Sequence, residues 1–211
     1  MSRLVIIAGP QAAGKSTTIT ALQSQNVSSL LGCGKSPVIF PLQESRQITA
    51  HRHMLLGAIF MTLEQELEVV NCDLERMDFI LERTQNQFLY VDECNIFTTA
   101  HAKAHGILEL EQYWNQYITR LHRLDAVVIF LDVVPDISWE RRRHKYEQRL
   151  IYFPENERET ILERYRLYLT KLHPLLHEVY DRLPFPKAII DGNSSEDYVL
   201  ATACKQIANL L

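Results

Sequence analysis

Between Leu4 and Leu22 the chain reads LVIIAGPQAAGKSTTITAL, and this stretch restricts its fold more tightly than any other. Five apolar residues run straight into Gly9, and hydroxyl and apolar residues at helical spacing come after Gly14. A strand must therefore turn into a helix within a few residues. Gly9, Ala12, Ala13 and Gly14 carry little or no side chain, so the backbone can wrap closely around an anion with its N–H groups pointing inward. The unpaired N–H groups and positive dipole end of the next helix favour a phosphate. Lys15 adds a point charge for the outer phosphates, and the Ser16 hydroxyl can bind Mg²⁺, with Thr17 beside it. The spacing of Gly9, Gly14, Lys15 and Ser16 is that of a phosphate-binding loop, G-x-x-x-x-G-K-[ST], with a strand before it and a helix after it.

Short apolar runs and long helical patterns alternate along the rest of the chain. RLVIIA, SPVIFPL, QFLYVD, DAVVIFLDV and KAIID are rich in branched and aromatic residues and read as buried strands. Between them lie stretches with apolar residues three and four apart, such as ITAHRHMLLGAIFMTLEQEL and LERYRLYLTKLHPLLHEVYDRL. This alternation predicts right-handed crossovers and a parallel sheet covered on both faces, an α/β three-layer sandwich. Pro174 is expected to kink or split the last long helix. The 211 residues suit a single domain, 1–211, with a sizeable core. In such sheets ligands sit beyond the carboxyl ends of the strands, so chemistry is sought there.

Composition removes other classes. A net charge of -4 argues against a general nucleic-acid or membrane-surface protein. No apolar run approaches the ~20 residues of a membrane span, and no signal peptide precedes the loop, so a soluble, cytoplasmic protein is expected. Cys33, Cys72, Cys94 and Cys204 are scattered and form neither a zinc pattern nor a disulfide framework.

Three further groups carry chemistry. QFLYVDECN ends a strand in Asp92 and Glu93; Asp92 there can enter a Mg²⁺ shell, accept a proton from an attacking hydroxyl, or simply cap a helix. FPLQESRQ sets Glu44 and Arg46 just past the second strand, where they can hold a substrate hydroxyl or phosphate, or stand as solvated loop charges. WERRRHKYEQR, Trp139 to Arg149, is the densest basic stretch. At helical spacing Arg142, Tyr146 and Arg149 share one face, and Arg141 and Lys145 another. Guanidinium forks suit a transferring phosphoryl group. His51 and His53 lack further metal ligands, and HAKAH, His101 to His105, lacks the metalloprotease glutamate. Both pairs read as pocket or structural residues.

With these parts in place, the chain resembles the thymidylate kinase and deoxynucleoside kinase group of P-loop kinases. GPQAAGKST is similar to the group's phosphate loop, and LERMDFILERTQNQFLYVDECNIFTTAHAKAHG to its third strand and flanking helices. LDVVPDISWERRRHKYEQR resembles its fourth strand and arginine-bearing lid, and AIIDGNSS its fifth strand with the adenine-side loop. The resemblance implies a five-stranded sheet of order 2-3-1-4-5, an arginine-rich lid over about 139–152, and phosphoryl transfer from ATP with Mg²⁺ to a small-molecule acceptor. A homodimer is compatible with it. By the same resemblance Gly9, Ala12, Ala13, Gly14, Lys15, Ser16 and Thr17 hold ATP phosphates and Mg²⁺, Arg141 and Arg143 are lid arginines, and Gly192 and Asn193 lie near adenine. Glu44 resembles the carboxylate near the accepting hydroxyl, and Ser16 and Asp92 are the metal candidates. Asp92-Glu93 departs from the Asp-Arg of thymidylate kinases, and PLQES lacks their Arg-Glu-Pro, which leans towards an unphosphorylated or non-nucleotide acceptor. Two classes stay open: an ATP-dependent small-molecule kinase acting on a nucleoside or nucleotide, and a nucleotide-binding regulatory or interaction ATPase on the same fold.

Overall fold

A computed structural model of the chain describes residues 3–22, 38–41, 61–83 and 88–211. Glu44, Arg46, His51, His53 and Cys33 lie outside the described residues. Five strands, β1 (Arg3–Ala8), β2 (Val38–Pro41), β3 (Phe88–Glu93), β4 (Val127–Asp132) and β5 (Lys187–Asp191), form one parallel sheet in the order β2-β3-β1-β4-β5. The phosphate-loop strand is thus central, with β3 on one side and β4 on the other. Ile7 pairs with Glu93 and Ala8 with Phe130, so the carboxyl ends of β3 and β4 flank the loop.

Strand alternation divides the core. Leu4, Ile6, Ala8, Tyr90, Val128 and Phe130 face a helical layer of α2 (Leu63–Leu81), α3 (Thr98–Ala104), α4 (Trp114–Arg123), α5 (Pro135–Arg149) and α6 (Arg158–Arg182). Val5, Ile7, Val91, Val127, Ile129 and Leu131 face α1 (Lys15–Leu22) and α7 (Glu196–Leu210). Because side chains on a strand alternate with period two, an uninterrupted apolar run fills both cores at once.

The helices begin where side chains can satisfy their free N–H groups. Thr62 and Gln65 close a capping box on α2: Gln65 N–H donates to Thr62 Oγ1 at 3.3 Å and Thr62 N–H to Gln65 Oε1 at 2.9 Å. Of the helical pattern predicted over ITAHRHMLLGAIFMTLEQEL, the described part is helical from Leu63 onward, with Met61 and Thr62 outside the helix. Ser195 caps α7, and Pro135 opens α5, where a missing N–H costs nothing. One expectation is corrected. Pro174 does not split the last long helix; α6 runs unbroken through it for 25 residues. Buried Leu169, Leu172, Leu176 and Val179 hold both halves to the same core, offsetting the lost backbone bond.

Among the described residues no helix is long and apolar enough to cross a membrane.

Candidate active site

The loop after β1 is built by backbone conformation. Gly9 has φ +145°, and a Cβ there would sit 2.4 Å from the Leu131 carbonyl oxygen, so β4 leaves no room for any side chain. Gly14 has φ +88°, in the left-handed region that favours glycine. Lys15 is 7% exposed, and its Nζ donates to the carbonyls of Gly9 at 3.0 Å and Pro10 at 2.8 Å. The lysine is thereby folded over its own loop, with Glu93 Oε1 3.7 Å from Nζ. Ser16 Oγ donates to the other oxygen of Glu93 at 2.9 Å.

Gln11 pins the outer edge of the loop. Its backbone carbonyl accepts from Ser138 Oγ of α5, and its Oε1 accepts from the Tyr165 hydroxyl of α6, which also meets the Tyr146 hydroxyl. On the far side, Arg141 Nη1 donates to the Gly192 carbonyl at 2.8 Å and the Ala12 carbonyl at 3.4 Å. Asp191 folds the turn after β5 by accepting from Asn193 N–H at 3.0 Å and Ser194 Oγ at 2.9 Å, bonds that hold its carboxyl below the usual range. Asn193 Oδ1 in turn accepts from Val134 N–H at 3.1 Å.

These elements enclose a cavity of about 620 Å³ lined by residues 12–18 of the loop and α1, with Glu93, Arg141, Arg142, Lys145, Gly192, Ser194 and Glu196. Among the described residues four cationic side chains, Lys15, Arg141, Arg142 and Lys145, face it against two carboxylates, Glu93 and Glu196. In a chain of net charge -4 this local excess of positive charge is suited to an anion.

The structure brings together Ala12, Ala13, Gly14, Lys15, Ser16, Thr17, Arg141 and Gly192 of the expected residues, with Gly9 forming the turn and Asn193 bracing the β5 loop. Two assignments are corrected. Asp92 does not line this cavity; it is 1% exposed and points to the opposite face of β3, and Glu93 takes the place next to Ser16. The reason is strand alternation: Asp92 lies on the Tyr90 face and Glu93 on the Val91 face, which meets α1. Arg143 also points away. Its Nε donates to Glu147 Oε1 at 2.7 Å, and it borders a separate cavity with Trp139, Glu159 and Glu163. Arg142 and Lys145, neighbours in the same run, occupy the position expected of it. The predicted lid segment is the latter part of α5 and the turn Leu150–Tyr152, seated by buried Trp139, Tyr146 and Leu150.

Asp92 instead belongs to a buried polar network. Arg76 of α2 donates through Nη2 to Asp92 Oδ1 at 3.1 Å and also meets Asp73. Asn95 Nδ2 donates to Asp92 Oδ2 at 2.7 Å; Thr98 Oγ1 and Tyr117 OH donate to Asp73 Oδ2 at 3.0 and 2.8 Å. Burial of two carboxylates around one guanidinium pushes Asp73 up to about 7 and raises Asp92 as well. Cys94 and Asn95 leave β3 with φ of 68° and 47°, an unusual turn held in place by this network. His101 Nδ1 meets Tyr168 OH at 2.6 Å and His105 stacks on the Tyr168 ring at 4.7 Å, so both are packed structural residues, and burial lowers His105 to about 4.

The buried network makes stability depend on pH. Between an ordinary carboxyl value of 3.8 and about 7, the folded protein keeps a proton on Asp73 that the unfolded chain has released. This contribution to stability is complete below pH ~4 and is lost as pH rises to about 7. Denaturant unfolding at pH 5.5 and 7.5 should show a smaller loss of stability with rising pH in Asp73→Asn than in the wild type. An equal loss in both would remove Asp73 as its source.

A strand, a glycine-built loop and a helix start at the centre of a parallel sheet, with a cationic cavity beyond the strand ends, form an α/β fold consistent with that of a P-loop kinase. In fold the chain is similar to the deoxyadenosine kinase from M. mycoides with bound dATP (TM-score 0.60, 16% identity over 97% of this chain and 98% of that one). It is likewise similar to the structure of that kinase with products dCMP and a flexible dCDP (TM-score 0.57, 17% identity over 98% and 97%). No protein-family model and no curated protein matches the sequence.

Proposed function

We propose that this protein is an ATP-dependent phosphotransferase that acts on a small-molecule acceptor of the nucleoside or nucleotide class. The observation that carries this reading is the cavity in which a glycine-built loop, Lys15, Arg141, Arg142 and Lys145 surround a Ser16–Glu93 pair. The residues fit Mg-ATP: loop N–H groups and cations suit phosphates, and a hydroxyl beside a carboxylate supplies the oxygen ligands Mg²⁺ requires. When bound, Mg-ATP supplies the phosphoryl group and the charge that offsets its transfer. Lys15 would hold the outer phosphates, Ser16 and Glu93 the metal side, and Arg141 the rim near Gly192. Glu44, outside the described residues, stays the candidate for the carboxylate that takes the acceptor's proton. The deoxyadenosine kinase likeness in fold supports a nucleoside-kinase-like acceptor.

The test is ADP formation from Mg-ATP across a panel of nucleosides, nucleotides and non-nucleotide alcohols. Stimulation by one nucleoside or nucleotide, with the phosphorylated product identified, is expected. ATP hydrolysis indifferent to every acceptor would replace this reading with a nucleotide-binding regulatory or interaction protein.

Two arginines of α5 separate in nucleotide binding. Arg141→Ala should weaken nucleotide binding by about tenfold, because it removes a charged donor that ties Gly192 and Ala12 together at the rim. Arg143→Ala should leave binding unchanged, since Arg143 faces Glu147. Titration calorimetry with a non-hydrolysable ATP analogue would measure both, and equal losses would contradict the orientation of α5.

A further inference from the structure

A second cluster lies on the α6 side of the sheet. Asp132 ends β4, and His173 and His177 stand one turn apart on α6. One ligand atom from each lies within 4.8 Å of the others. His173 Nε2 is 2.8 Å and His177 Nε2 3.1 Å from the same Asp132 Oδ1. The rings meet edge to face at 4.8 Å, and Phe130 backs His177 at 5.1 Å. None of the three lines the phosphate-loop cavity.

We propose that Asp132, His173 and His177 form a binding site for a divalent transition-metal ion of the Zn²⁺ class. Two imidazole nitrogens and one carboxylate oxygen are a donor set that suits zinc, whereas Mg²⁺ takes oxygens. A tetrahedral zinc with bonds of about 2.0–2.2 Å holds its donors roughly 3.4 Å apart. The two His–Asp spacings therefore need to open by about 0.6 and 0.3 Å, while the two histidine nitrogens, within 4.8 Å of each other, settle to the same spacing. In the hydrogen-bonded arrangement both rings donate an Nε2 proton to one carboxylate oxygen. In a metal-bound arrangement the ring proton sits on Nδ1 instead, and the Nε2 lone pair is the ligand. Relative exposures of 28% for Asp132, 23% for His173 and 30% for His177 give an ion an entry path and leave its fourth position to water.

The consequence is a clamp between α6 and the end of β4. The Asp132 backbone carbonyl accepts from Gly192 N–H at 2.8 Å, so the ion would brace the strand end that carries the β5 loop.

The test uses the untagged full chain, stripped with a chelator, then reloaded with Zn²⁺ and freed of excess metal by dialysis, and it reads zinc directly, independently of phosphotransfer. Expected are one Zn²⁺ per chain by elemental analysis, a raised melting temperature in Zn²⁺, and visible absorption bands with Co²⁺ as probe. In the double variant His173→Gln, His177→Gln, zinc affinity should fall by more than about 100-fold, beyond the 10–100-fold typical of losing an outer-shell partner. Asp132→Asn provides a second variant, with circular dichroism to establish that each is folded. Absence of stoichiometric zinc in the wild type, or affinity retained in the folded variants, would overturn the site and leave a hydrogen-bonded tether.

Discussion

Lys15→Ala is expected to fold normally and to lose phosphoryl transfer by about 10²–10³ or more, the scale of removing one preorganised charge from a transition state. The lysine belongs to the cavity and not to either hydrophobic core. Its buried Nζ contacts the loop carbonyls of Gly9 and Pro10 and the Glu93 carboxylate, so its deletion disturbs the loop and spares the sheet. Among the described residues four cations line the cavity, yet Lys15 alone of them opens a helix at the end of the glycine loop, where the N–H groups also converge. Arg141, Arg142 and Lys145 sit across from it on α5 and cannot replace that point charge. Far-UV circular dichroism would establish the fold, and single-turnover transfer from Mg-ATP the activity. Near-normal transfer would remove the loop from catalysis.

Arg76→Ala should destabilise the protein by about 3–5 kcal/mol, the cost of leaving buried charge without its partner. Arg76 is the cation between Asp73 and Asp92, which are 2% and 1% exposed, and both carboxylates lean on the same guanidinium. Its removal leaves like charges facing each other in the core. The deficit should shrink between pH 7.5 and pH 5.5, because Asp73, already held near 7, takes a proton and becomes a neutral donor. Denaturant unfolding of wild type and variant at both pH values measures this. A loss under about 1 kcal/mol, independent of pH, would show that the network carries little energy. The network also bears on the site, since Asp92 immediately precedes Glu93. A looser β3 end should impair placement of the carboxylate opposite Ser16.

The sequence by itself determined the central βα unit, because a strand, a side-chain-free turn and a helix start are consecutive and each is a local preference. The turn at Gly9 and Gly14 and the helix start at Lys15 were legible for that reason, as were all five strands, whose apolar runs need only a sheet buried on two faces. The helix start at Thr62 was written in its capping box, but a helical pattern continuing across it obscured the boundary. Orientation was not legible. Asp92 and Glu93 are both acids at a strand end, and period two sends them to opposite faces; only the seating of α1 on the Val91 side decides which one meets Ser16. In the run of arginines each step turns the helix by about 100°. Arg142 and Lys145 face the cavity and Arg143 does not because Trp139 and Tyr146 anchor α5 beside α6, 19 residues separating Tyr146 from Tyr165. The same limit hid the Asp132, His173 and His177 cluster. Its two histidines have helical spacing, but their carboxylate stands 41 residues earlier, at the end of a strand. Local composition determines which elements form; which side of each one is turned to the cavity is decided by packing between elements distant in the chain.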